Sequence, residues 1–140
     1  MTSDLYLSAG SPDITGEQMS TLAFCISDRV RMHMAEHGKL STELIRYMAE
    51  DPSHVVRIAI ACNPNTPSAV LLKLAFDEHP DVRFAMAENH SLPPLVLEIL
   101  ARDENPYVEN RARRTLEHLG YLHTQNKARK RTERRHLLAC

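Results

Sequence analysis

The sequence predicts an all-α fold, a solenoid built from four two-helix units, and three observations carry that prediction. The first is an internal repeat of 26 residues, the kind of period that marks stacked architectures. HPDVRFAMAEN (79–89) falls under SHVVRIAIACN (53–63), pairing Val56 with Val82, Arg57 with Arg83, Ala59 with Ala85, Ala61 with Ala87 and Asn63 with Asn89. The same shift carries 63–82 onto 89–108, so that Leu71 meets Leu97, Leu74 meets Leu100, Asp77 meets Asp103 and Pro80 meets Pro106. The second observation is a recurring pair of helix-start signals in each unit. The third is a set of apolar stripes with helical spacing.

One frame divides the chain into an N-terminal segment 1–10, four units (11–36, 37–62, 63–88 and 89–114) and an extension 115–140. In the first unit Thr15, followed three residues later by Gln18, forms a capping-box pattern, and Val30-Arg31 opens the Val-Arg column. In the third unit Thr66-Pro67 predicts a cap followed by proline at the first helical position, where a missing N–H costs nothing. Val70, Leu71 and Leu74, then Val96, Leu97 and Leu100, follow i, i+1, i+4 spacing and predict one buried stripe per helix. His79-Pro80 and Asn105-Pro106 predict the starts of second helices, with Val82, Ala85 and Met86 inward. Helices this short are marginal alone. Each unit must therefore bury its apolar face against a neighbour, which is the physics of a solenoid.

The segment NPNTPSAVLLKLAFDEHPDVRFAMAEN (63–89) resembles the leucine-rich repeat variant family and, more broadly, HEAT-like α-solenoids. The N-P-N-T-P opening, the paired leucines, the aspartate near the turn and the Pro-Asp-Val-Arg step carry the resemblance. It covers 37–109 best, extends to 11–36, and is absent from 1–10 and 115–140. It implies alternating helices stacked into a right-handed superhelix. Some members of that family carry an N-terminal cysteine cluster holding iron–sulfur, and this chain has no such cluster. The resemblance implies a shape and no reaction.

Composition narrows the class. With 140 residues, 43% apolar, 25% charged, 8 Pro and 4 Gly, the chain is too apolar for disorder and too varied for a fibrous protein. No apolar run approaches the ~18 residues of a membrane span, and the start of the chain lacks the basic and apolar regions of a secretory signal; a cytoplasmic protein is expected. Cys25, Cys62 and Cys140 are odd in number and far apart, which argues against disulfide, zinc or iron–sulfur frameworks. Two of them are expected as buried thiols and the terminal one as exposed.

Charge is uneven. Residues 1–110 carry 8 Lys/Arg against 16 Asp/Glu, a net of −8, and residues 111–140 carry 9 against 2, a net of +7. Such asymmetry bears on partners rather than on fold.

Few side chains point to chemistry. Arg31, Arg57 and Arg83 recur at equivalent points and predict either a strip that binds carboxylates or phosphates, or pairs with the column Asp51, Asp77 and Asp103 across the turns. In the last unit Glu109 stands where arginine is expected. The aspartates precede short helices, where a carboxylate caps free backbone N–H groups. The eight histidines show neither H-E-x-x-H nor an i, i+4 pair, so surface positions and no metal site are expected. The methionines Met19, Met32, Met34, Met48 and Met86 sit in apolar columns and are expected to fill the core. Glycine-rich phosphate loops, nucleophile elbows and paired-carboxylate motifs are missing. The expectation is no enzyme and no cofactor.

The extension places Lys127, Arg129, Lys130, Arg131, Arg134 and Arg135 within nine positions, without Pro or Gly after Gly120, so helix is expected there. The most direct functional expectation is an adaptor that binds another protein or peptide on the solenoid surface, with Arg31, Arg57 and Arg83 as contacts. The alternative is RNA or DNA binding by the basic tail with the solenoid as platform. A monomer or homodimer fits either, and no membrane partner is expected.

Overall fold

Helix-start signals act at a fixed interval along the chain. In the computed structural model, which describes residues 2–121, all regular secondary structure among the described residues is helical. The helices are α1 (Thr2–Ala9), α2 (Gly16–Ala23), α3 (Asp28–Ala35), α4 (Thr42–Met48), α5 (His54–Cys62), α6 (Ser68–Leu74), α7 (Pro80–Glu88), α8 (Pro94–Leu100) and α9 (Pro106–His118). First helices begin at Gly16, Thr42, Ser68 and Pro94, and second helices at Asp28, His54, Pro80 and Pro106, each series in steps of 26. The boundary drawn at 114 falls inside α9, which runs on to His118.

Local chemistry explains these starts. Thr15 and Gln18 form the full capping box, side chain to backbone in both directions. Ser41 caps α4 through the backbone N–H of Leu44. Asn105 caps α9 through the N–H of Tyr107, with Pro106 at the first helical position. At α6 the pattern shifts by one residue: Pro67 is itself the cap and the helix begins at Ser68. Thr66 is buried, and its hydroxyl donates to the Ile60 carbonyl at 2.6 Å instead of capping α6. A hydroxyl this deep satisfies the nearest open carbonyl.

The chain divides into two compact units, one through Met86 and one from Ala87. In the first, α3 packs on α5, α1 and α2, and α4 and α6 flank α5. Its core is Met19, Leu22, Val30, Met34, Ile45, Met48, Val56, Ile60, Leu71 and Leu74, all buried. The methionines fill this core as expected, save half-buried Met32. In α7 the inward side is Val82, Arg83, Met86 and Ala87, while Ala85 is only half-buried. The helix is rotated slightly from the expected stripe.

In the segment outside the repeat, α1 (Thr2–Ala9) packs against α3. Tyr6 stacks on His33 with ring centroids 4.4 Å apart. A side chain at Gly10 would run into the His33 ring, so glycine permits that close approach. In the second unit α8 packs on α9 through Val96, Leu97, Leu100, Val108, Ala112 and Leu116. No described helix is long and apolar enough to cross a membrane.

Side chains also tie one turn to the turn before it. His37 Nε2 donates to the Ser11 carbonyl at 3.1 Å, and 26 residues on Asn63 Nδ2 donates to the His37 carbonyl at 3.1 Å and to Ala35 at 2.7 Å. Lys39 Nζ reaches the Pro12 carbonyl, and Asn65, its equivalent, reaches Gly38. In the second unit Thr115, in the same column as Asn63 and Asn89, donates to the Ala87 carbonyl at 2.6 Å while buried. A periodic set of side-chain donors thus satisfies turn carbonyls, the buried Ala35 and Ala87 among them.

Candidate functional site

In the last three repeats the turn between the first and second helix is organised by one aspartate. Oδ1 of Asp51 accepts the N–H of Ser53 at 2.9 Å, Asp77 that of His79 at 2.9 Å, and Asp103 that of Asn105 at 2.8 Å. These are the capping bonds expected of an aspartate before a short helix. The same carboxylates receive the arginine column. Nε and Nη2 of Arg31 donate to Asp51 at 2.7 and 2.9 Å, and those of Arg57 to Asp77 at 2.8 and 2.9 Å. Nη1 turns the other way, to the carbonyls of Cys25 and Ile26 from Arg31, and of Asp51 and Pro52 from Arg57. Arg83 is buried and places Nη1 on the Asp77 carbonyl at 2.6 Å.

The fork geometry suits guanidinium and carboxylate, and the setting is dry: the Arg57 and Asp77 side chains are 9% and 7% exposed. The hydrogen bond to Asp77 holds the Arg57 guanidinium above its ordinary pKa despite the opposing effect of burial. Arg31 is raised in the same way by Asp51. Burial pushes Asp77 up, and the bonds from Arg57 and the His79 N–H outweigh it, so its carboxyl titrates below the usual range. The pairing expected between the two columns is therefore present at Arg31 and Arg57, and the donors that a solvent-facing strip would offer are turned inward there.

Beside this pair lies a groove of about 690 Å³ in the first unit. Arg57 and Asp77 line it together with Glu50, Lys73, Phe76 and Glu78. Lys73 and Glu50 form an ion pair over it, and Phe76 stands 74% exposed. Exposed aromatics also stand near the C-terminal ends of α2 and α4. Tyr47 follows α4's inward Ile45, and Phe24 caps α2, their rings 4.7 Å apart and both at least half exposed. Sequence reasoning passed over these rings, because only the apolar columns that recur in every unit were weighed. The signal was present: Phe24 and Phe76 occupy one column, with Glu50 between them.

Histidines depart from the expected surface pattern. His54 and His79 are half-buried and stack face to face, ring centroids 3.9 Å apart and planes 1° from parallel. Together with Asp81 they bring three metal-ligating atoms within 4.8 Å of one another. The thiols differ too: Cys25 is half-buried and Cys62 exposed, so the pair expected in the core is not there. Cys62 ends α5 with its side chain turned from the stripe that holds Ala59 and Ile60. Lys127, Arg129, Lys130, Arg131, Arg134, Arg135 and Cys140 lie outside the described residues.

Comparison with known protein families, with curated proteins and with solved structures returned no match to this chain.

Proposed function

We propose that the chain is a non-enzymatic adaptor: a right-handed α-solenoid of four 26-residue repeats, of the leucine-rich repeat variant or HEAT-like kind, that grips a segment of another protein. The observations that carry this are Phe76, exposed in the lining of a groove walled by Arg57 and Asp77, and a second exposed aromatic pair, Phe24 with Tyr47. Large aromatic side chains carry much apolar area with few rotatable bonds and are enriched in the buried centres of protein interfaces. Exposed Glu50 and Glu78 at the rim, and the −8 charge of residues 1–110, favour a segment with apolar anchors and positive charge. In this proposal Arg31, Arg57 and Arg83 contribute by holding the turns that present the rings. A cytoplasmic location fits the composition.

A second reading rests on the net +7 of residues 111–140: the tail residues Lys127, Arg129, Lys130, Arg131, Arg134 and Arg135 would bind RNA or DNA. One experiment separates the two. The full chain, Phe76→Ala with Tyr47→Ala, and a chain lacking 124–140 are compared for captured proteins and for nucleic-acid binding at two salt concentrations. A protein retained without the tail and lost with the two alanines supports the adaptor. Salt-steep nucleic-acid binding that vanishes with the tail supports the alternative. Capture indifferent to both changes contradicts the adaptor.

A further inference from the structure

The Arg57–Asp77 pair draws the start of α5 to the turn before α7, and this sets two histidines side by side. His54 is the first residue of α5, and His79 directly precedes α7. Two bonds fix His79: its N–H donates to Asp77 Oδ1 at 2.9 Å, and its Nδ1 accepts the N–H of Asp81 at 3.3 Å. The Asp81 carboxylate lies 3.8 Å from that ring nitrogen.

We propose that His54, His79 and Asp81 bind one divalent transition-metal ion of the zinc class. Two imidazoles and one carboxylate form a donor set that zinc accepts, with an open position left for water. Calcium and magnesium are disfavoured, because they take oxygen ligands almost throughout. Tetrahedral ligands at about 2.0–2.1 Å from a metal stand roughly 3.3 Å apart. The three donor atoms already lie within 4.8 Å of one another; to share one ion the two rings must turn out of their parallel stack, and coordination through His79 Nδ1 would replace the bond it accepts from the Asp81 N–H. Half-buried rings carry the two nitrogens, and the exposed Asp81 closes from the solvent side. The 26-residue frame gives this turn a character of its own. The column of His54 holds Asp28, Pro80 and Pro106 elsewhere, and that of His79 holds Ser27, Ser53 and Asn105. The other turns therefore lack a histidine at either position.

The same columns supply the test. His79→Asn and His54→Pro install residues that the chain already uses at the matching points of other helix starts, so capping and helix start are kept while the imidazoles go. The untagged full chain, each variant, Asp81→Asn and the distant control His118→Ala are titrated with zinc chloride by calorimetry and with cobalt(II) by visible absorption. The expected result is one zinc per chain with a tetrahedral-type cobalt spectrum. Affinity should weaken roughly tenfold or more in His79→Asn and His54→Pro, since even outer-shell changes cost 10–100-fold, and stay unchanged in His118→Ala. No zinc bound by the parent chain, binding that survives both histidine variants, or equal loss in the control would overturn the site. Helical circular dichroism screens the variants, and if His54→Pro unfolds, His79→Asn and the exposed Asp81→Asn decide the matter.

Discussion

The turn around Asp77 and the start of α9 use the same column in opposite ways. At Asp77 the column residue Arg57 reaches 20 residues ahead and closes a dry, two-pronged ion pair. In α9 the same column carries Glu109, which turns to Arg113 on its own helix at 2.7 Å, the Arg113 side chain exposed and Glu109 half-buried. The contrast extends to length. Helix α5 has 9 residues and depends on what it is clasped to, whereas α9 has 13 and carries its own i, i+4 pair. In this column, therefore, the side chain on α5 bonds to the next repeat, and the side chain on α9 bonds within its own helix.

Breaking the first kind of contact should cost most. Arg57→Ala strands the Asp77 carboxylate among buried neighbours, and loss of one partner of such a pair typically costs about 3–5 kcal/mol, measurable by urea unfolding. Core truncation follows. Leu74→Ala and Leu100→Ala, at 2% and 0% exposure, should each cost roughly 2–5 kcal/mol. A loss below half a kcal/mol at both would mean the apolar columns do not form the core. Asn63→Ala, which removes donors from the Ala35 and His37 carbonyls, should cost about 1–3 kcal/mol. Arg113→Ala, at an exposed side chain, should change stability by about 1 kcal/mol or less. Near-equal losses at Arg57 and Arg113 would erase the distinction between the two regions.

Acid sharpens the same contrast. Because Asp77 titrates below its unfolded value, the native state holds on to fewer protons there than the unfolded chain. Its contribution is complete above the ordinary carboxylate pKa of about 3.9 and fades as pH drops through the lower, folded value. Asp77→Asn should therefore flatten the acid limb of the stability–pH profile, read from unfolding midpoints between about pH 2 and 5.

Much of the fold was legible because the repeat acts on local chemistry. Thr15 with Gln18, and Asn105 with Pro106, are caps that operate within four residues, and the structure puts helices where they predict. The Arg and Asp columns were legible as a pair because they recur together. Other features depend on contacts that local sequence does not encode. Thr66 looks like a cap until burial beside the Ile60 carbonyl gives it a different acceptor. Helix α1 lies outside the period and gains its place through Tyr6 and His33. His54 and His79 are 25 residues apart, so no linear motif announces that their rings touch. The exposed rings of Phe24 and Phe76 share a column, yet only the fold shows that they face water.

Within the first compact unit, arginine–carboxylate clasps join one repeat to the next, and this is what the picture of the fold stands on. A double-mutant cycle on Arg57→Met and Asp77→Asn, followed by urea unfolding, tests it most directly. The two positions should couple by roughly 1.5–3 kcal/mol; effects that add within about 0.5 kcal/mol would mean that no such clasp holds the repeats together.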